Sequence, residues 1–132
     1  MSGPFEVVIG AGVMRSTDPA AVHWPHRWTE EGVTVDGDFT GAHLLHASVA
    51  GCVLNDVYRE AAELGIGIDG VRVTAGGDFD RRTWRSTGIE YTVELAADAP
   101  LAEVRRLLEV VDEVAEIPAA LRAATTVRRV GR

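Results

Sequence analysis

The sequence predicts a single α+β domain spanning residues 1–132, and three observations carry that prediction. Residues 41–64 form a long apolar run with cap signals at both ends. Residues 71–75 and 89–95 alternate apolar and polar side chains, and from Leu101 onward apolar residues recur every three or four positions. Strands, long helix, hairpin, helix and strand follow in that order, as in α+β domains.

The first forty residues read as strands and turns. Residues 5–9 are extended, and a Gly, Ser, Asp and Pro-rich stretch runs to Pro19. The chain is extended again around Val22-His23-Trp24 and Gly32-Val33-Thr34-Val35, with Asp36-Gly37 as a turn signal. Trp24 and Trp28 sit among polar neighbours, which places them at an edge of the core or in the wall of a pocket.

Thr40 is a suitable N-cap for the long helix, and Gly65 a suitable C-terminal stop. Residues 42–54 are apolar on nearly every side, and a helix of that kind must be covered all round. The domain's own sheet covers one side. The small residues Ala47, Ser48, Ala50 and Gly51 suit close approach by another helix, but the chain has no second helix of that character. The expectation is a homodimer that packs two copies of this helix together, with Gly51 at the contact.

Val71, Val73 and Ala75, then Ile89, Tyr91, Val93 and Leu95, predict two antiparallel strands with one buried face, joined by a polar turn over residues 81–86. Asp98 reads as the cap of an amphipathic helix with Pro100 near its start. Pro118 interrupts that helix, a short helical piece reaches Ala124, and residues 125–130 form a last strand.

Composition narrows the function. The chain has 13 basic residues, every one arginine, against 20 acidic residues, for a net charge of −7. That balance argues against a nucleic-acid or anionic-membrane surface. No leader pattern occupies residues 1–14, and no stretch has a membrane span's apolar length. One cysteine excludes an internal disulfide and fits a reducing compartment, so the expected location is cytoplasmic.

The segment His43-Leu44-Leu45-His46-Ala47-Ser48-Val49-Ala50-Gly51-Cys52 resembles the cysteine helix of the OsmC/Ohr family. Residues 64–73, Leu-Gly-Ile-Gly-Ile-Asp-Gly-Val-Arg-Val, resemble the family's passage from that helix into a strand. Residues 107–127, with Ile117-Pro118-Ala119-Ala120-Leu121, resemble its second-cysteine segment. The resemblance covers residues 38–127 and implies an intertwined homodimer with two central helices. It also implies a thiol-dependent organic hydroperoxide reductase of the kind used against oxidative stress. In such enzymes a helix thiolate attacks the peroxide, a second cysteine resolves the sulfenic acid, an arginine activates the thiol and a glutamate holds the arginine. By that resemblance Cys52 stands at the attacking position, Ile117 replaces the resolving cysteine and Ala42 replaces the glutamate. Arg15 and Arg27 are the candidate arginines.

The residues themselves point both ways. Cys52 lies about three turns into its helix, beyond useful reach of the helix dipole, and Asp56 one turn later would oppose its ionisation. The histidines pair as His23 with His26 and His43 with His46. Cys52 lies about 240° around the helix from His46, so no metal site is read there. Gly10-Ala11-Gly12 lacks the residues that follow in a phosphate loop, and no cofactor is expected. His43 and His46, with Trp24 and Trp28, are the expected lining of an interface pocket for substrate. Arg81, Arg82, Arg85 and Trp84 read as a solvated turn. Two functions remain: a hydroperoxide reductase with Cys52 as sole redox cysteine and an external thiol as resolver, or a diverged, non-peroxidase member that binds a small apolar ligand in the interface pocket.

Overall fold

A computed structural model describes residues 3–131; Met1, Ser2 and Arg132 lie outside it. The elements are β1 (Val7–Gly12), β2 (Val22–Trp24), β3 (Val33–Asp36), α1 (Gly41–Leu64), β4 (Ile68–Phe79), β5 (Ser86–Ala97), α2 (Leu101–Val114), α3 (Glu116–Leu121) and β6 (Val127–Arg129). The strands make one six-stranded sheet in the order β2-β3-β1-β4-β5-β6.

Every strand pair is antiparallel except β5 with β6, which runs parallel. The predicted antiparallel hairpin is β4 with β5; the last strand, whose direction no local pattern sets, runs parallel to β5. A parallel neighbour requires a crossover, and α2 and α3 together supply it. Period-two alternation turns Val7, Ile9, Ala11, Val71, Val73, Ala75, Ile89 and Tyr91 inward, and all are buried. The outer face carries polar pairs such as Arg72 and Glu94, directly opposite in register and joined at 2.8 Å.

α1 lies across the inner face. Thr40 is its N-cap: the backbone is extended there and the hydroxyl accepts the His43 N–H. Gly65 ends the helix at φ 71°, a left-handed conformation natural to glycine. Val49, Val53, Val57 and Ala61 are buried against the rest of the chain, at the spacing of one helical face. Another stripe stays open: Leu44 is 42 % exposed, Ser48 is exposed, and Ala47, Gly51 and Cys52 are half-buried.

Two local expectations need correction. Asp98 does not cap α2. The N-cap is Pro100, whose carbonyl accepts the N–H groups of Glu103 and Val104, and Asp98 lies too far upstream for its side chain to take those donors. Pro118 does not interrupt a continuous helix at its own position. α2 ends at Val114, Ala115 is extended, and Pro118 lies in the first turn of α3. A proline ring clashes with the carbonyl four residues back, here Val114, and needs no N–H partner in a first turn.

The crossover is tied down by polar bonds. Tyr91, wholly buried, donates its hydroxyl to Asp112. Arg122 bridges the Asp112 carboxylate at 3.1 Å and the Val127 carbonyl at 2.9 Å. At the other end of the hairpin, Asp80 accepts the N–H groups of Arg82 and Thr83, and Arg81, Arg82, Trp84 and Arg85 are exposed.

Gly51 is not squeezed by its own chain. A Cβ there would meet only the Ile9 Cδ1, at an ordinary 3.7 Å. Gly51→Ala is therefore expected to stabilise the isolated fold by up to about 1 kcal/mol, through helix propensity alone. In a homodimer packed on this stripe the added methyl would meet the second copy, so urea unfolding is expected to show a loss of stability instead; a gain would leave Gly51 uncovered.

Candidate functional site

α1 presents chemistry on two sides. On the first, Cys52 faces α3. Its Sγ lies 3.5 Å from Glu116 Oε1, and the Ile117 backbone N–H points at the sulfur. Asp56, one turn on, faces the same way, and the ligating atoms of Cys52, Asp56 and Glu116 all lie within 4.8 Å of one another. Arg59 closes the group, 3.0 Å from Asp56 and 3.9 Å from Glu116, with its Nε on Glu60 at 3.1 Å.

This setting suppresses the thiolate. Burial pushes the Cys52 thiol up to about 11, the Ile117 N–H offsets part of that, and the Asp56 and Glu116 carboxylates push it further upward. Burial also raises Asp56 to about 6, against the pull of Arg59, and the neighbouring Glu116 adds to the rise. Glu116 is held below its ordinary value, first by a backbone N–H and then by Asp56 and Cys52. The two carboxyls thus share the site with Asp56 as the natural proton holder. Sulfur with two carboxylates is a donor set that a borderline divalent metal accepts, but Arg59 already supplies the positive charge that a metal would bring.

The second side is a cleft of about 630 Å³. Its walls come from α1, from Ile9 on β1 and Val33 on β3, and from the loop after β2 that carries Pro25 to Trp28. Trp24 and Trp28 both line it. His26 stands in its wall with both ring nitrogens engaged: Nδ1 lies 2.7 Å from Thr29 Oγ1, and Nε2 donates to Asn55 Oδ1 at 2.9 Å. Burial lowers the His26 pKa, partly offset by the Asn55 bond. The Arg27 guanidinium sits 5.9 Å from the centroid of the Trp28 ring.

The predicted site residues are thus divided. Cys52 does not line the cleft. His43 is committed to the helix start, its Nδ1 2.7 Å from Thr40 Oγ1, and borders a separate hollow of about 100 Å³ shared with Trp24 and Leu44. His46 points into the core. It is 1 % exposed, its Nδ1–H donates to the Phe5 carbonyl at 3.0 Å, and its buried Nε2 has no hydrogen-bond partner among the described residues. A Cβ on Gly77 would stand 3.2 Å from that nitrogen, so glycine leaves the imidazole its room. Of the candidate arginines, Arg15 lies in a hollow on the outer face of the sheet near Arg72, and Arg27 lies in the cleft. The cation that joins the carboxylates beside Cys52 is Arg59, which sequence reasoning passed over. Its signal was spacing: positions 52, 56 and 59 fall on one helical face. Glu116 gave no such signal, being 64 residues from Cys52.

An α+β protein whose central helix bears one cysteine, laid across a six-stranded sheet and faced by a short proline-containing helix, is the class that fold and site define. The model of the OsmC-like protein family matches residues 34–129, and the chain belongs to that family. Solved structures agree on the fold. The organic hydroperoxide resistance protein OsmC of Legionella pneumophila is 18% identical, with a TM-score of 0.60 over 71% of this chain and 69% of its own. An OsmC-like protein of Mycoplasma pneumoniae is 12% identical, with a TM-score of 0.64 over 87% and 96%. An OsmC-like protein of unknown function from Vibrio cholerae is 11% identical, with a TM-score of 0.61 over 93% and 96%. No curated protein matches the chain in sequence. Among the described residues no helix is long and apolar enough to cross a membrane.

Proposed function

We propose that this protein is a non-peroxidase member of the OsmC-like family that binds a small apolar molecule in the Trp24/Trp28 cleft, as a homodimer. One observation carries the reading: the sole cysteine faces two carboxylates and has a thiol pKa of about 11. A peroxidatic thiol must ionise near neutral pH, and this one is held protonated. The position that would resolve a sulfenic acid is Ile117, and the arginine that joins the carboxylates beside the thiol, Arg59, is shared among Asp56, Glu60 and Glu116. The cleft supplies the alternative: it is apolar-walled, aromatic and within the usual volume of ligand sites. The dimer rests on the open stripe of α1, whose Leu44, Ala47 and Gly51 also border the cleft, so a second copy would form its outer wall.

The peroxidase reading keeps one support. Ile117 stands against Cys52 as a resolving residue should, with its N–H on the sulfur. The test is consumption of cumene or tert-butyl hydroperoxide with a dithiol reductant, for wild type, Cys52→Ser and Ile117→Cys. The expected result is slow consumption, unchanged in Cys52→Ser and not restored by Ile117→Cys, because Ala42 provides no anchor for an activating arginine. Rapid consumption lost in Cys52→Ser would overturn the binding reading. For the assembly, sedimentation at micromolar concentration is expected to give twice the 14.2 kDa chain mass; a folded monomer would remove the dimer.

A further inference from the structure

The polar chemistry of the cleft is one-sided. Its lining holds no acidic residue and a single formal charge, on Arg27. Among the described residues no carboxylate pairs with that guanidinium, whose one contact is the Trp28 ring. The other polar side chains mostly have donors to spare and few acceptors. His26 has both nitrogens engaged, Asn55 Oδ1 is taken by His26, and the Ser48 hydroxyl spends its hydrogen on the Leu45 carbonyl at 2.6 Å. Among the described residues the Asn55 amide hydrogens and the indole N–H groups of Trp24 and Trp28 have no protein acceptor. An apolar chamber whose free polar groups, the Ser48 oxygen apart, are donors, with a cation at its aromatic wall, complements a flat apolar body bearing an anionic acceptor. In a chain of net charge −7 such a spot is not an average of the surface.

We infer that the cleft takes an aryl monocarboxylate, its ring against the Trp24 and Trp28 indoles and its carboxylate on Arg27. The inference rests on the binding function proposed above and specifies the ligand class. Placement of the ring on the indoles buries apolar area, and the guanidinium offers paired N–H donors in the geometry a carboxylate accepts.

Calorimetric titration of the full chain with 2-naphthoate, neutral 2-naphthalenemethanol and octanoate tests it, using wild type, Arg27→Gln and Trp28→Ala. Arg27 and Trp28 are both exposed, so neither change threatens the fold. The expected result is naphthoate bound about tenfold more tightly than the alcohol, one charge-assisted contact. That preference should vanish in Arg27→Gln, and both aryl probes should weaken in Trp28→Ala. Equal binding of naphthoate and its alcohol to wild type overturns the carboxylate while leaving the apolar-ligand function standing, as does a preference that survives Arg27→Gln. Octanoate bound as tightly as naphthoate overturns the aryl assignment. No binding of any probe overturns this inference together with the function it rests on, and leaves a second copy as the occupant of the cleft.

Discussion

Alkylation of Cys52 by iodoacetamide at pH 7 is expected to run about a hundredfold slower than that of an unperturbed thiol. Only the thiolate reacts, and each pKa unit above the ordinary value removes a factor of ten from its population. With the thiol at about 11, roughly two units above its ordinary 9.0, the thiolate is all but absent at neutral pH. Burial is the largest cause, so removing the nearby charges should recover part of the reactivity. Asp56→Asn combined with Glu116→Gln is expected to speed alkylation by roughly tenfold, since like charges within a few ångströms are worth about a unit or less each. Denaturation in urea should restore the full rate in every variant. A folded wild type that alkylates as fast as its unfolded chain would refute the placement of Cys52 against α3 and reopen the peroxidase reading.

Asp56→Asn is expected to stabilise the protein at neutral pH, against the usual direction for a buried substitution. The folded Asp56 titrates at about 6, against 3.8 for an ordinary aspartate. Between those values the folded state holds a proton that the unfolded state has lost, so stability falls as pH rises through the window. Above pH 6 the penalty is complete, about 3 kcal/mol for a shift of this size. Asparagine avoids it, at the cost of the Arg59 contact, leaving a net gain of about 1–3 kcal/mol at pH 7. His26 and His46 act oppositely. Their folded pKa values lie below the ordinary 6.5, so the unfolded chain binds more protons just below pH 6.5 and stability rises with pH there. Between pH 5 and pH 7 the wild-type profile is thus the difference of these slopes, whereas Asp56→Asn loses the aspartate one; the depressed Glu116 acts at the acid end, below this window. Urea midpoints from pH 4 to pH 8 measure it. The two proteins should agree near pH 4 and diverge through pH 6, and a variant less stable than wild type at pH 7 would show Asp56 to be held as a favourable anion.

The opposition between Asp56 and Cys52 was half legible in the sequence. Four-residue spacing places both on one helical face, so a carboxylate near the thiol could be read directly. Arg59 follows at the next turn by the same rule. Glu116 could not be read, because it reaches the sulfur from a separate helix across the core. The histidine pair fared similarly. Spacing places His43 and His46 near one another, but burial separates their roles: His43 stays at the helix start on Thr40, while His46 enters the core to hold the Phe5 carbonyl. Thr40 lies three residues before His43, within local reach, whereas the Phe5 carbonyl is 41 residues from His46 and no local pattern points to it.

By itself the sequence determined what short-range interactions control. Thr40 and Gly65 bound the long helix because a cap satisfies backbone groups within a few residues of itself. Strict alternation made the hairpin, because a strand with one buried face turns every second side chain inward. The single cysteine and the excess of acids over arginines are facts of composition. The tertiary structure decided the rest: the parallel direction of β6, the cleft assembled from β1, β3, α1 and the loop after β2, and the state of the thiol. Each depends on groups distant in sequence that packing brings together. A pKa in particular follows from the burial and charges around a side chain, which no local pattern contains.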